Sequence, residues 1–256
     1  DATPIEAVEN RKGRFVGTML GDRLEEILVL LRMAEGKEDN QEPPASIKTR
    51  FSAKLDNMMS EELRAAVLRP RKSVLLPGAF GVVQHTQGHP SLQYDVLHTL
   101  GEGALSTVSL AVHRQTSERR AIKAEMKFEE WVVWDEIAIM RKLCHPNVIQ
   151  LWETFEDSTN IFIVVEACTG GELFDRLATE GGVQECHAAR VMQQLASAVK
   201  YLHNQSICHR DIQPENFLLK DDGPLEDATV KLIDFTAAKE FGPGSPLKTK
   251  ICTLHY

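Results

Sequence analysis

The spacing of apolar residues separates residues 1–93 from the more regular remainder of the chain. Within residues 1–93, apolar side chains recur at helical spacing in GDRLEEILVLLRMAEG and, more sparsely, in SEELRAAVLRP, each with a capping residue near its start. The Gly- and His-containing run PGAFGVVQHTQGHP is typical of a linker. We therefore predict a mostly helical and irregular N-terminal extension, which is either a loosely ordered leader or a regulatory or docking segment.

From residue 94 onward, positions alternate between apolar and polar, and runs with a helical period follow. Strands are predicted in YDVLHTLGEGALSTVSLAVHR, which turns on two glycines, and in RAIKAEM, NVIQLWETFED and NIFIVVEA. Helices are predicted in EEWVVWDEIAIMRKLC and ECHAARVMQQLASAVKYLHNQ, followed by short apolar runs in FLL and VKLIDF. Because strands come first and helices after, the order predicts an α+β protein of two lobes rather than an alternating α/β sheet. We assign residues 94–256 to this domain.

Composition narrows the class of protein. The chain has 43% hydrophobic and 26% charged residues, as soluble globular proteins do, and its net charge of −8 argues against a nucleic-acid partner. We find no transmembrane segment, because no apolar run approaches the roughly 18 residues that span a bilayer. The five cysteines are scattered without a CxxC pair, which favours reduced thiols and a cytoplasmic or nuclear location.

The first candidate chemistry lies in the predicted strands. Gly101 and Gly103 have the GxG spacing that lets a backbone approach phosphates, although two glycines in a hairpin turn would look the same. Lys123 follows in an apolar strand, where a lysine is usually a solvated surface residue. Glu136, however, lies on the core-facing stripe of the next helix, and a carboxylate there is costly unless paired. We therefore predict that Lys123 and Glu136 form an ion pair.

A second group of polar residues follows the long helix. Asp211 and Asn216 lie in HRDIQPENFLL, and Asp234 ends the apolar strand VKLIDF. Asn216 and Asp234 carry the oxygen donors that Mg²⁺ prefers, and Asp211 could accept a proton from a hydroxyl group. These residues, in this order and at these spacings, predict a site that handles phosphate and magnesium.

In these motifs the chain resembles the eukaryotic protein kinases. CTGGELFDRL and HRDIQPENFLL make it similar to the serine/threonine branch and, within it, to the calcium-dependent and calmodulin-regulated kinases. The resemblance covers residues 94–256. It implies a two-lobe fold with a five-stranded antiparallel N-lobe, its helix C, and a partly present helical C-lobe.

The resemblance also implies roles for individual residues. Lys123 would hold the α- and β-phosphates of ATP and pair with Glu136, Asp211 would accept the substrate proton, and Asn216 and Asp234 would hold Mg²⁺. Glu172 and Glu215 match positions that often read a basic residue near the phosphosite of a protein substrate, or they are solvated charges. Met140, Leu151, His209 and Phe235 match the stacked apolar column of active kinases. The nucleotide-binding positions are Leu100, Gly101, Gly103, Ser106, Val108, Ala121, Lys123, Val165 as gatekeeper, Glu166 and Cys168 in the hinge, Glu172 and Leu218.

Three substitutions depart from the family pattern. Gln213 stands at a catalytic position where a lysine usually contacts the transferred phosphoryl group, and losing one preorganised electrostatic contact costs about 10²–10³ in rate, or roughly 3–4 kcal/mol. Thr236 replaces the glycine of DFG, where a β-branched side chain makes positive φ difficult. Ser106 replaces the third loop glycine and is the mildest change. These departures predict an attenuated kinase, with a pseudokinase scaffold that binds ATP and Mg²⁺ as the alternative.

The C-terminal end also bears on this interpretation. The chain stops at Tyr256, where the APE motif of the family should begin, so we expect it to be a fragment of a longer product that lacks the lower C-lobe and is inactive on its own. Arg210 before Asp211 indicates that a phosphate orders the activation segment, as in similar kinases. Ser245, Thr249 and Thr253 are the candidate phosphosites, although the family pattern implies that Thr253 contacts Asp211 and the substrate instead. No calcium-binding loop is present, because DDGPLED lacks the required spacing. A calcium sensor, either calmodulin or an EF-hand region, would therefore lie outside this chain.

Overall fold

The computed structural model describes residues 83–103, 105–128, 130–179 and 185–242. The predicted helices of the N-terminal extension and the three candidate phosphosites of the activation segment lie outside these ranges. The described residues form strands β1 to β10, at Gln84–Gln87, Tyr94–Glu102, Ser106–His113, Arg119–Met126, Leu151–Glu156, Asn160–Glu166, Ile207–Cys208, Phe217–Leu219, Val230–Leu232 and Lys239–Glu240. The helices are α1 at Glu130–Met140, α2 at Leu173–Thr179 and α3 at Glu185–Asn204.

Strands β1 to β6 form one sheet in the order β1-β5-β6-β4-β3-β2. Neighbouring strands from β2 to β6 pair antiparallel, which confirms the predicted five-stranded N-lobe. The turn between β5 and β6 is held by Asp157, whose Oδ1 accepts hydrogen bonds from the backbone N–H groups of Thr159 and Asn160, both at 2.8 Å. The α+β class predicted from the order of strands and helices is therefore confirmed.

A sixth strand, β1, corrects the sequence analysis, which assigned its residues to a linker. Gln84–Gln87 pairs parallel with β5, with Gln84 opposite Glu153 and Gln87 opposite Glu156. The sequence QHTQ has neither alternation nor an apolar side chain, so only pairing with a distant strand reveals it. The folded unit thus begins before residue 94.

Side chains from β1 also reach helix α1. The ring of His85 lies 5.3 Å from that of Trp134 in an edge contact. Its Nδ1 atom lies 3.1 Å from the Thr154 hydroxyl group, and its Nε2 atom lies 3.3 Å from a carboxylate oxygen of Glu156. One side chain of β1 therefore contacts both the neighbouring strand and the helix that carries Glu136.

Period-two alternation gives the sheet two apolar faces. Along β6, Phe162 and Val164 belong to a small outer cluster, whereas Ile161 and Ile163 belong to the main core. The main core continues into the second lobe, where α3 buries one helical stripe and the short strands β8 and β9 pair antiparallel. The buried residues of that stripe are Ala188, Val191, Leu195, Ala198, Val199 and Leu202. Elements of both lobes thus contribute to one main core.

A buried polar network fixes the second lobe to the segment before β5. The Nδ2 group of Asn147 donates to Oε1 of Gln194 at 2.7 Å and to the carbonyl of Val230 at 2.9 Å. Gln194 in turn accepts from the backbone N–H of Val230 at 3.0 Å and donates to the carbonyl of Ala228 at 3.0 Å. Each of these amides is satisfied by backbone or side chain, as burial requires.

Of the helices in the described part of the chain, none combines the length and apolar character needed to cross a membrane.

We expect the stability of the protein to fall below pH 6.5 through His145. Burial, and to a smaller extent the ammonium of Lys231, lower the pKa of His145 to about 4. Between pH 6.5 and 4 the unfolded chain therefore binds a proton at this residue that the folded chain does not, so the free energy of unfolding falls as the pH falls, by about 3 kcal/mol in all. His145→Asn keeps an acceptor for the N–H of Asn147 and should flatten this slope in denaturant titrations from pH 7 to 4. Parallel pH profiles for the two proteins would contradict the assignment.

Gly170 is a position where the fold leaves no room for a side chain. A Cβ atom there would lie 2.0 Å from the carbonyl oxygen of Asp221 and 2.7 Å from Cβ of Leu219. Because the nearest obstacle is backbone, Gly170→Ala should lower the free energy of unfolding by about 1–3 kcal/mol, as overpacking does. Gly242→Ala is the matched control, since a Cβ at Gly242 meets nothing within 4 Å. Equal unfolding midpoints for both variants in urea would rule out the close contact.

Candidate active site

The ion pair predicted between β4 and α1 is present. Nζ of Lys123 lies 3.2 Å from Oε2 and 3.4 Å from Oε1 of Glu136, whose side chain is only 4% exposed. Strand register places Lys123 opposite Val108 and Ala121 opposite Val165, so these four side chains share one face of the sheet. The pair thus joins the predicted nucleotide-binding face to the helix behind it.

Two further groups bind the same ammonium. Oε1 of Glu125, which lies two residues along β4 and on the same face, is 2.8 Å from Nζ of Lys123. The Thr236 hydroxyl oxygen accepts a hydrogen bond from Nζ at 3.3 Å. Burial alone would lower the pKa of Lys123, but Glu136, Asp234 and Glu125 outweigh it and raise the pKa above its ordinary value. The lysine is therefore a cation held by ion pairs with two carboxylates, those of Glu125 and Glu136.

The loop between β7 and β8 collects the second group of predicted residues. Nδ2 of Asn216 donates to Oδ2 of Asp211 and to its backbone carbonyl, both at 2.9 Å. Nε2 of Gln213 donates to the same Oδ2 at 3.0 Å. The predicted proton acceptor is thus oriented by two side-chain amides. One of them belongs to the residue that replaces the usual lysine.

Asp234 is held beside this loop by backbone bonds and a left-handed conformation. The N–H of Ile233 donates to the carbonyl of Asn216 at 3.0 Å, which ties the end of β9 to the loop. Asp234 has a φ of 61°, a conformation that Asp tolerates better than most residues, and its Oδ1 accepts from the N–H of Thr236 at 3.2 Å. The left-handed residue is therefore Asp234, and the conflict expected at Thr236 does not arise, because Thr236 has no positive φ.

Asn216 and Asp234 fit a magnesium ion. Enclosure by the protein would raise the pKa of Asp234, but the ammonium of Lys123 and hydrogen bonds from Thr236 lower it, so the carboxylate is ionised at neutral pH. The Asn216 amide points its nitrogen at Asp211, which leaves its oxygen on the opposite side as a ligand. One carboxylate and one amide oxygen suit Mg²⁺, which takes its remaining ligands from phosphates and water. Among the described residues, no group of three or more His, Cys, Asp or Glu side chains forms a separate metal site.

The remaining predicted nucleotide-binding residues lie in and just after β2, on β8 and in the segment that follows β6. Leu100, Gly101 and Gly103 belong to β2 and the turn after it, where the N–H of Gly103 donates to the carbonyl of Ser106 at 2.8 Å. Glu172 forms a bridge with Leu218, so the residue after the hinge segment reaches the strand that follows Asn216. Burial, and then the charge of Glu166, raise the pKa of Cys168 to about 12, so this thiol stays protonated. The binding role of each of these residues stays a prediction.

The side chain of Glu166 has a different partner from the predicted nucleotide. Its Oε1 lies 2.6 Å from Nζ of Lys231, whose side chain is 4% exposed, and accepts the N–H of Gln150 at 2.9 Å. Any contact of Glu166 with a nucleotide would therefore come from its backbone. The sequence analysis missed Lys231, although a lysine inside the apolar run VKLIDF carried the same signal as Lys123, namely a buried charge that needs a partner.

The predicted apolar column lies in the main core. Met140, Leu151 and Phe235 belong to one cluster, and each is at most 4% exposed. The ring of His209 contacts that of Phe235 edge-on at 4.9 Å, and its Nε2 atom lies 3.0 Å from the carbonyl of Ile233. Phe235, the residue after Asp234, therefore belongs to the same core cluster as Met140 of α1, and the role of this column stays a prediction.

Comparison with known proteins places these features in one family. Residues 94–256 match the protein kinase domain. The chain is 41% identical over 161 residues to calcium-dependent protein kinase 3 of Plasmodium yoelii yoelii, which covers 61% of this chain and 30% of that protein. It is 40% identical over 176 residues to a probable myosin light chain kinase of Dictyostelium discoideum, covering 67% and 50% of the two chains. It is 38% identical over 169 residues to serine/threonine-protein kinase H1 homolog of Danio rerio, covering 64% and 40%. The chain thus spans between about a third and a half of the length of these relatives.

Proposed function

Because the chain belongs to the protein kinase domain family, we propose that it transfers the γ-phosphate of ATP to a serine or threonine hydroxyl group of a protein. The observation that supports the proposal most directly is the ion pair itself. Nζ of Lys123 lies 3.2 Å from Oε2 of the buried Glu136. A buried carboxylate in this position is costly without its partner, and the pair brings a cation to the face that would hold the phosphates.

Binding of ATP is assigned to the sheet face that carries the ion pair. Val108 and Ala121 would contact the adenine from the side of the sheet and Leu218 from the second lobe. The ammonium of Lys123 would bind the α- and β-phosphates, because it can exchange one carboxylate for a phosphate oxygen. Asn216 and Asp234 would hold Mg²⁺, which neutralises charge on the phosphates when bound.

The transfer step is assigned to Asp211. The oxygen of the substrate hydroxyl group forms a bond to the γ-phosphorus while the bond from that phosphorus to the β,γ-bridging oxygen breaks and ADP leaves. The hydroxyl proton passes to the carboxylate of Asp211, which Asn216 and Gln213 hold in position at 2.9 and 3.0 Å. Positioning of the reactants therefore depends on the same amides that orient the base.

The rate is proposed to be attenuated at Gln213. A neutral amide donates a hydrogen bond but does not neutralise the negative charge that develops on the transferred phosphoryl group. The backbone at Thr236 shows no conflict, so the reduced rate is assigned to Gln213 alone. A scaffold that binds ATP and Mg²⁺ without transfer is the second candidate, and the neutral residue at position 213 is what favours it.

The substrate and the regulation belong to the same proposal. Glu172 and Glu215 are negative and lie on adjoining elements, so a protein substrate with a basic residue near its phosphosite would suit them. One relative is named a calcium-dependent protein kinase, which supports control by calcium, and we propose that the sensor is calmodulin or an EF-hand region outside these 256 residues. Among the described residues, Cys144, Cys168 and Cys208 are in the reduced form, which suits the proposed cytoplasmic or nuclear location.

The proposal is tested with the full-length protein that contains these 256 residues, γ-labelled ATP, Mg²⁺ and two sets of Ser/Thr peptides that differ only in an Arg near the acceptor. We expect slow labelling of peptides, faster for the Arg-containing set, and retention of nucleotide in a separate equilibrium-binding measurement. Nucleotide binding without labelling of either set would favour the scaffold, and absence of both would overturn the proposal.

A further inference from the structure

In the segment that follows Asp234, the side chain of Thr236 contacts both members of the Lys123–Glu136 ion pair. The Thr236 hydroxyl group donates to Oε2 of Glu136 at 3.1 Å and accepts from Nζ of Lys123 at 3.3 Å. Since Nζ and Oε2 are themselves 3.2 Å apart, the three groups form a closed triangle. A hydroxyl group has one donor and two acceptor sites, so it can serve both partners at once.

The three corners of this triangle come from three separate elements. Lys123 is on β4, Glu136 is on α1, and Thr236 follows β9 in the second lobe. The backbone of Thr236 is held in turn by Asp234, whose Oδ1 accepts its N–H at 3.2 Å. The predicted metal ligand and the ion pair are therefore joined through one residue, and a glycine at position 236 could make only the backbone part of this link.

We propose that Thr236 is a positioning residue. From the second lobe, its hydroxyl group holds helix α1 and the Lys123 ammonium in the arrangement in which Lys123 and Glu136 are ion-paired. The inference rests on the proposed function for its kinetic consequence, but its structural part does not need turnover. It also reverses the expectation from sequence, in which Thr236 weakens the site.

The burial of the partners explains why one exposed hydroxyl group matters here. The side chain of Glu136 is 4% exposed, whereas Thr236 lies at the surface of the cleft. Burial raises the pKa of Glu136, while Lys123 and the hydrogen bond from Thr236 act against that rise. Hydrogen bonds to charged groups are stronger than those between neutral groups, so loss of this one should loosen the pair measurably.

The test compares Thr236→Val with Thr236→Ser in the complete chain. Valine keeps the size and β-branching of threonine without the hydroxyl group, and serine keeps the hydroxyl group without the methyl group. We expect amide hydrogen exchange in α1, residues 130–140, to become about ten-fold faster in Thr236→Val and to stay at the wild-type rate in Thr236→Ser. Where transfer is measurable, KM for ATP should rise about five-fold in Thr236→Val with kcat nearly unchanged, since Lys123 binds phosphates in the ground state as well.

The outcomes separate this inference from the proposed function. Equal exchange in wild type and Thr236→Val would overturn the positioning role, whatever the activity. Faster exchange in both variants would also overturn it, because the methyl group and not the hydroxyl group would then be responsible. Faster exchange in the valine variant alone would support the role even if the wild-type chain labels no peptide, a result that would count against the proposed kinase activity only.

Discussion

Replacement of Asp211 by Asn is expected to lower kcat for peptide phosphorylation by about 10²–10⁴-fold, the usual contribution of a positioned general base. The amide cannot accept the hydroxyl proton at neutral pH. The amide group that replaces the carboxylate would also face two N–H donors. In the wild type, Nδ2 of Asn216 and Nε2 of Gln213 lie 2.9 and 3.0 Å from Oδ2 of Asp211. The measurement is steady-state labelling of the best peptide at saturating ATP, with nucleotide affinity determined in parallel. Affinity should stay close to that of the wild type, because Asp211 is not among the residues assigned to the nucleotide.

Asp222→Asn provides the matched control for this prediction. Asp222 is an exposed carboxylate in the turn after β8, and its replacement removes the same charge from the second lobe. We expect kcat within two-fold of the wild type for this variant. An Asp211→Asn protein that retained wild-type kcat would remove Asp211 from the transfer step.

Gln213→Lys is expected to raise kcat by about 10²–10³-fold, the effect of one preorganised electrostatic contact to a developing oxyanion. The Gln213 side chain already reaches the carboxylate of Asp211, with Nε2 3.0 Å from Oδ2, so a lysine at this position would carry its ammonium into the same region. There it would lie beside both the base and the hydroxyl group that attacks the phosphorus. The measurement is kcat for wild type and variant on the same peptide at saturating ATP.

Gln213→Met separates charge from the loss of the amide. Methionine fills a similar volume but neither donates a hydrogen bond nor carries charge, so we expect its kcat to be at or below that of the wild type. An increase with Met as well as with Lys would mean that the amide inhibits, for example by occupying Oδ2. If neither wild type nor Gln213→Lys transfers phosphate while both bind ATP, the scaffold function is correct instead.

The sequence predicted those parts of the site in which an unpaired charge would be costly. Glu136 stands on the buried stripe of a helix, so a partner was needed, and Lys123 in an apolar strand could supply it. The same argument was available for Lys231 and Glu166 but was not applied. Chain order alone predicted the two lobes, because alternating strands precede the helical runs.

Other features depend on contacts between residues far apart in the chain. Strand β1 is polar and four residues long, and it forms only because β5, more than sixty residues later, offers a free edge. Thr236 was expected to strain the backbone, whereas its hydroxyl group bonds to residues 100 and 113 positions earlier. Neither contact leaves a periodic pattern in the sequence, so local reasoning could not anticipate it.

The parallel strand β1 also bears on the association state of shortened versions of the protein. Family similarity begins at residue 94, so a version cut at that boundary would lack Gln84–Gln87. Strand β5 would then present its N–H and C=O groups along an uncovered border, next to the apolar side chain of Phe155. Uncovered strand borders recruit other chains, whereas a short polar strand at the border discourages them. We therefore expect the four residues QHTQ to limit self-association of the protein. A version that begins at residue 94 should dimerise or precipitate through β5.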